Sequence, residues 1–565
     1  MWLILITADC RASNPCKETG PRGGSWSCRE SATLALSEIE LTSAVICLGE
    51  SITASAQAET TDAIERQPLY YDCKADGSRW RSRSPTVTSG YEITGPFTGS
   101  DSGTHVVFTP EQTGSGTIRM WASATMGAPC AVIPAADEQT ATYKVLQLAF
   151  TEAEIYQCWS AGGQYAAADN LDLPHTYDSS AIAWSLVTIE GDSAATIETD
   201  TGLVTFGPDT GGKYTLRAEA NELSTCYQEM TLYIIQVELT NIKFNHDTGS
   251  SASDAINIRQ DYTTPIDISN GEWVKGGANH PVAYTADNSV TIKARFTVQP
   301  DSITSADIWA ESTASDGSLG DVVKTTIAFA GGVSVGDANG YVEFPISGNT
   351  PNVVKKTTTD TWQWKAENIN GASVVCNFDV SGPHTVYTIF DEPEQPQWNN
   401  DFGNSRNAWV SALEFAIVTC GANNKLKHPA MSSITTALHG MYTYPSPPAP
   451  NPTGSRFFKI VQVGGVWMEL FDYTDYISGS GADGMANCDD AAMGLATTFK
   501  VLGISVQEKK HSPFPGYDYH CYVKDGTFVY DCTRGMLSIR VPYADYLSGH
   551  GASGTETDMP TAPIK

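Results

Sequence analysis

Residues 482–506, ADGMANCDDAAMGLATTFKVLGISV, and residues 519–533, YHCYVKDGTFVYDCT, decide how the last third of this chain is read. The first stretch is a helix with both ends marked. Asn487 suits the N-cap, Asp489 and Asp490 suit the first turn, and Gly503 suits the C-terminal stop. Cys488 then stands at the first helical position, where unpaired N–H groups and the helix dipole favour a thiolate. Asp489 and Asp490 oppose this, because like charge raises a thiol pKa, so a reactive Cys488 requires a cationic partner. The second stretch is a pair of strands around Asp525-Gly526, a dipeptide suited to a two-residue type I′ turn. In that register His520 lies directly opposite Asp531, with Cβ atoms about 5 Å apart. A one-residue slip would send the two to opposite faces. A thiol, an imidazole and a carboxylate that fixes the imidazole's tautomer form a nucleophile-base-acid set. The rival His511 lies in the Pro-rich HSPFPG and faces no carboxylate.

These motifs resemble the transglutaminase-like superfamily, whose usual motifs are a Gly-x-Cys helix ending in a Leu-Gly-Ile strand, a His-x-Trp-Val strand, and an Asp-x-Thr ending the next strand. The resemblance implies an α+β, papain-like fold over residues 406–565. It makes Cys488 the nucleophile, His520 the base and then acid, and Asp531 the orienting carboxylate. Asn487 departs from the glycine or small residue usual before the cysteine, and Tyr522 replaces the commoner Trp. Trp467 and Tyr522 are the aromatic side chains assigned to substrate and oxyanion contacts, beside the Cys488 N–H. No cofactor or metal is implied. Cys521 and Cys532 neighbour the triad, so strand alternation turns them to the other face, which argues against a zinc site built from Cys488, His520, Cys521 and Cys532.

Further towards the N-terminus, RNAWVSALEFAIVTC (406–420) and MSSITTALHGMY (431–442) have helical spacing, and DEPEQPQWNN (391–400) marks a linker over 391–405. Residues 41–390 are instead short runs rich in Val, Ile, Thr and Tyr between Gly, Asp, Ser and Pro clusters, the pattern of antiparallel sandwiches. Residues 184–238, with a Trp-led strand, TGLVT and KYTLRAEA, resemble the C-terminal half of a bacterial immunoglobulin-like domain. Sandwiches are expected at 41–150, at 151–238 and at 239–390, the last as one large or two small bodies. Cys47 with Cys130 and Cys158 with Cys226 each fall inside one such domain and are the disulfide candidates. The fold expectation is therefore a multidomain chain, with all-β immunoglobulin-like sandwiches followed by an α+β transglutaminase-like domain.

The 565 residues carry 64 acidic and 34 basic side chains, a formal charge of −30, which excludes a polyanion such as nucleic acid as partner. No stretch reaches the roughly 18 apolar residues of a membrane span. Residues 1–40 read as a leader or linker, with MWLILITADC as an incomplete export signal. Thirteen cysteines leave one without a partner if all the others pair, and Cys488 is its natural identity. Together these features point to a secreted or cell-surface bacterial protein that acts on amide bonds of a protein or peptide, through a thioester that passes to water or to an amine. A non-catalytic adhesion protein with immunoglobulin-like spacers, and another papain-like peptidase acting on cell wall, are the alternatives.

Overall fold

A computed structural model describes residues 29–65, 86–125, 135–173, 181–246, 254–261, 264–313, 319–393, 408–444, 457–463, 466–479, 484–515, 519–533, 540–559 and 564. The chain divides into two compact units, Met1–Ile234 and Ile235–Lys565.

In the first unit the alternation seen in sequence becomes burial. Gly212–Ala220 buries every second residue, as a strand with one face on a core must. A five-stranded sheet containing Gly114–Thr125 and Ala135–Leu146 faces a three-stranded sheet containing Ile52–Ser55 and His105–Phe108. Ile118, Met120 and Tyr143 from one sheet meet Ile52, Val106 and Phe108 from the other in a single core, so the pair is a β-sandwich. A second core gathers Trp184, Tyr214, Leu216 and Leu232 with Tyr165 and Val204. The leader expected over 1–40 is shorter than its boundary. Arg29–Leu36 is a strand antiparallel to Ala58–Glu65, and Leu36 enters the first core. Residues 1–28, with the proposed export signal, lie outside the described residues.

The disulfide pairing also differs from expectation. Cys47 bonds Cys226, with Cα atoms 5.3 Å apart and 179 positions between them in sequence. The pairings of Cys47 with Cys130 and of Cys158 with Cys226 are therefore wrong. Cys130 is outside the described residues, while Cys158 and Cys376 are also disulfide-bonded. The reason is topological. Cys47 runs parallel to the end of Ala135–Leu146, and Leu146 and Leu148 already belong to the second core, against which Cys47 packs. The two sandwiches share a seam instead of closing separately.

In the second unit the strands from Gln236 to Ile389 form one body, each hydrogen-bonded to a neighbour. They surround an aromatic core in which Phe296, Phe344 and Trp364 touch edge to face and Trp362 packs on Trp364. This body is fused to the C-terminal part of the same unit. The Tyr387 hydroxyl donates to Glu414 at 2.8 Å, Lys356 pairs with the same carboxylate at 2.8 Å, and Ile258 and Arg259 pair in parallel with Ala408 and Trp409.

Among the described residues the C-terminal part contains five helices: α1 (Val410–Glu414, continued by a π-helical turn, Phe415–Thr419), α2 (Lys427–Met441), α3 (Tyr473–Ser478), α4 (Cys488–Val501) and α5 (Tyr543–His550). Helix α2 starts four residues before the periodic pattern because Pro429 is tolerated in a first turn, where N–H groups have no intrahelical acceptor. An antiparallel sheet comes after α4, made of β1 (Gln507–Ser512), β2 (His520–Asp525), β3 (Phe528–Tyr530), β4 (Val541–Pro542) and β5 (Thr555–Asp558), in the order β4-β3-β2-β1-β5. Helix α4 is buried on all sides from Asp490 to Val501, as suits a central helix of small and apolar residues. It shares a core with Cys521, Val523 and Tyr530 on one face of the sheet. Tyr522 and Val529, on the other face, pack with Phe514 and Tyr546 of α5. Among the described residues no helix is long and apolar enough to cross a membrane.

Candidate active site

The start of α4 is fixed by a capping box. The Asn487 side chain accepts from the Asp490 N–H at 2.8 Å, and the Asp490 carboxylate accepts from the Asn487 N–H at 3.2 Å. Asp490 also accepts the Phe457 N–H at 3.1 Å, so one of the two flanking acids is committed to structure. Cys488 follows as the first helical residue, partly exposed and with a free thiol.

His520 and Asp531 meet, but not in the expected register. Asp525 pairs with Phe528 and Val523 with Tyr530, so the turn is Gly526-Thr527, with Gly526 at φ +52°. Continuing this register puts His520 opposite Thr533 and moves Asp531 two residues along. A two-residue shift preserves the face, because side chains alternate with period two. His520 Nε2 and Asp531 Oδ2 are 2.8 Å apart, with the residues 3% and 2% exposed. Asp531 Oδ2 also accepts the Tyr546 hydroxyl at 2.7 Å, and Oδ1 accepts the Thr533 N–H at 2.9 Å and its hydroxyl at 2.7 Å.

Burial disfavours a charged Asp531, but the His520 charge and the hydrogen bonds from His520, Thr533 and Tyr546 hold the carboxyl well below its usual range. Burial likewise disfavours the imidazolium. Asp531, followed by Cys488, overcomes this and raises His520 to about 9. Cys488 is lowered to about 6, first by a hydrogen bond from Cys521, against burial, and then by the hydrogen bond and charge of His520; the Asp489 charge pushes back. At pH 7 the site therefore holds a thiolate beside an imidazolium.

Cys521 and Asp489 were not legible as parts of this site. Alternation turns Cys521 away from the His520 face, and that opposite face is the one on which α4 docks. The Cys521 thiol consequently lies 2.8 Å from Asp489 Oδ1, and its hydrogen bond to Cys488 pushes its own pKa far up. The Tyr519 hydroxyl donates to Asp489 Oδ2 at 2.6 Å. His511 is not in a turn. It lies on β1 directly opposite His520 and is 2% exposed, with its ring against Phe514. Phe514 in turn packs on His520 at 4.8 Å.

The assignment of Tyr522 to substrate contact fails. Tyr522 is 1% exposed because it shares the His520 face, which α5 covers, and its hydroxyl donates to Glu556 at 2.7 Å. It does not reach a substrate surface. Trp467 is 68% exposed on a separate two-stranded hairpin, Phe458–Val463 with Val466–Phe471, and makes no described contact with Cys488, His520 or Asp531. The hairpin is its own sheet, so strand pairing does not carry Trp467 to the triad.

No family model matches the chain, and no curated protein matches it. Among solved structures it is similar to extracellular cadherin domains 3–6 of protocadherin gamma B2, at 9% identity and TM-score 0.18, covering 64% of this chain and 76% of that one. It is similar to the protocadherin gamma B4 extracellular domain at 11% identity and TM-score 0.18, covering 64% and 56%. A SusE-like surface polysaccharide-binding protein of Bacteroides thetaiotaomicron matches at 10% identity and TM-score 0.12, covering 26% and 78%. Superpositions this poor carry no argument about fold or activity.

Proposed function

We propose that this chain is a cysteine-dependent acyl-transfer enzyme of transglutaminase-like type, exported and carried behind immunoglobulin-like sandwiches. The observation that supports the reading is the buried His520–Asp531 pair, 2.8 Å apart, beside the partly exposed Cys488 at the start of α4, an arrangement that lowers the thiol pKa and raises the imidazole pKa. The Cys47–Cys226 disulfide suits an oxidising compartment.

In the reaction, the Cys488 thiolate adds to an amide carbonyl and forms the C–S bond while the carbonyl π electrons move to oxygen. With the Asp490 N–H taken by the Asn487 side chain, the backbone N–H of Cys488 at the first position of α4 is the donor offered to that oxyanion. His520 gives its proton to the amine as the C–N bond breaks, leaving a thioester. With Nε2 held by Asp531, Nδ1 is the nitrogen left for this transfer. His520 then removes a proton from water or from a primary amine, which attacks the thioester; the C–S bond breaks and the Cys488 thiolate is returned beside the imidazolium.

Wild type and Cys488→Ala, incubated with a mixed protein substrate and a labelled primary amine, separate the two outcomes by mass spectrometry. A Cys488-dependent hydrolysis product or amine adduct is expected. Identical product maps from the two proteins would sink the enzyme reading in favour of a binding module.

A further inference from the structure

Three donor atoms of different residues converge at the start of α4. Cys488 Sγ, Cys521 Sγ and an Asp489 carboxylate oxygen all lie within 4.8 Å of one another, and Cys521 Sγ is 2.8 Å from Asp489 Oδ1. Cys521 hydrogen-bonds both Asp489 and Cys488. Two sulfurs and an oxygen gathered this closely can form one face of a tetrahedron around a thiophilic divalent cation, whose bonds run about 2.3 Å to sulfur and about 2.0–2.2 Å to carboxylate oxygen, once the Cys521–Asp489 hydrogen bond opens to the S···O edge of about 3.6 Å that such bonds set. The second carboxylate oxygen is held by the Tyr519 hydroxyl at 2.6 Å, the outer contact that orients a ligating carboxylate. Cys521 is fully buried and Asp489 and Cys488 are partly exposed, which leaves an entry path and an outward position for water.

We propose that Cys488, Cys521 and Asp489 form a binding site for a zinc-class divalent cation. Binding takes up the Cys488 thiolate and the Asp489 carboxylate and releases one proton from Cys521. The cation occupies the sulfur lone pair that would attack a carbonyl. The site differs from the Cys488, His520, Cys521 and Cys532 set rejected on strand alternation: Cys532 and His520 are not needed, and the carboxylate comes from α4. Binding is independent of the acyl-transfer reading; only its consequence, reversible inhibition, rests on that reading.

The test uses the full chain with these thiols reduced, titrated with Cd2+ and followed by the ultraviolet thiolate-to-cadmium charge-transfer band, then displaced by Zn2+. A saturable band is expected in the wild type, lost in Cys488→Ala and in Cys521→Ser, with affinity at least about tenfold weaker in Asp489→Asn. A band of wild-type strength in Cys521→Ser overturns the site, as does no band in wild type whose two thiols prove reduced on denaturing alkylation. If Cys521→Ser does not fold, Asp489→Asn, at a partly exposed position, decides: unchanged cadmium affinity refutes the site. Absorbance requires no turnover, so a failed enzyme reading, scored by Cys488 dependence in chelator-treated buffer, is distinguishable from a failed metal site.

Discussion

Replacing Asp531 with Asn tests the array without removing volume. The carboxylate accepts four hydrogen bonds, two on each oxygen. An amide must turn its NH2 towards one pair. On the Oδ1 side it would confront the Thr533 backbone N–H, which cannot reverse. On the Oδ2 side the Tyr546 hydroxyl can rotate to accept, and His520 can accept if its proton moves to Nδ1. The NH2 should therefore face His520 and trap the wrong tautomer, with no lone pair left to receive the thiol proton. The imidazolium also loses the charge that raised it to about 9 against burial, so Cys488 loses its cation. With a pKa of about 6, Cys488 is about 90% thiolate at pH 7, against about 1% at its ordinary value near 9. The ceiling on this effect is about 90-fold, and the retained Cys521 hydrogen bond keeps the fall below it. Turnover should drop further, by roughly 10⁴-fold, as when a tautomer-fixing carboxylate is amidated in a serine triad. Iodoacetamide labelling of the Cys488 peptide, measured against pH, reads the first effect without any knowledge of substrate. The wild-type rate should fall as pH drops through about 6, and the Asp531→Asn inflection should move upward. An inflection unmoved, with labelling at pH 7 within about twofold of wild type in a folded variant, would refute the ion-pair account.

Three other consequences are open to measurement. Raised above 6.5, the His520 pKa contributes stability that is complete below 6.5 and lost as pH rises through about 9. The depressed Asp531 pKa contributes stability present above about 3.8 and lost as pH falls. The pair's contribution should thus be greatest between about pH 4 and 6.5 in wild type and absent in Asp531→Asn, where burial leaves His520 disfavouring acid pH, checked by denaturant midpoints across pH. Gly494→Ala should lower the thermal midpoint despite a helix-propensity gain of about 1 kcal/mol. A Cβ there would lie 2.2 Å from the Tyr476 ring, and overpacking costs about 1–3 kcal/mol. Cys226→Ser opens a loop spanning 179 positions and should cost up to about 5 kcal/mol. The guanidinium midpoint of the variant should fall between those of the oxidised and the fully reduced wild type, since reduction also opens the bonds of Cys158 and Cys376.

The parts of the site legible beforehand are those set by neighbours in sequence. Asn487, Asp490 and Gly503 mark a helix because caps act within a few residues, and Cys488 stands at its start for the same reason. His520 and Asp531 share a face because alternation in a hairpin is local, even though the turn lies one residue further on than Asp525-Gly526 suggested. Gly526 takes the positive φ as the first loop residue, and Asp525 is spent on the last pair. The strand patterns from residue 41 to 390 likewise anticipate sheets, while the seam between sandwiches, and with it Cys47–Cys226, needs contacts far apart in sequence.

By itself, then, the sequence determined the helix that presents Cys488, the parity that unites His520 with Asp531, and a chain dominated by strands. Only the tertiary structure decided which face of β2 receives α4, and hence that Cys521 and Asp489 flank the nucleophile while Tyr522 is buried under α5. The division has a physical cause. Capping and alternation are governed by hydrogen bonds and sterics over one to four residues, whereas helix-on-sheet docking is chosen by the fit of whole apolar faces, a property no short window of sequence contains.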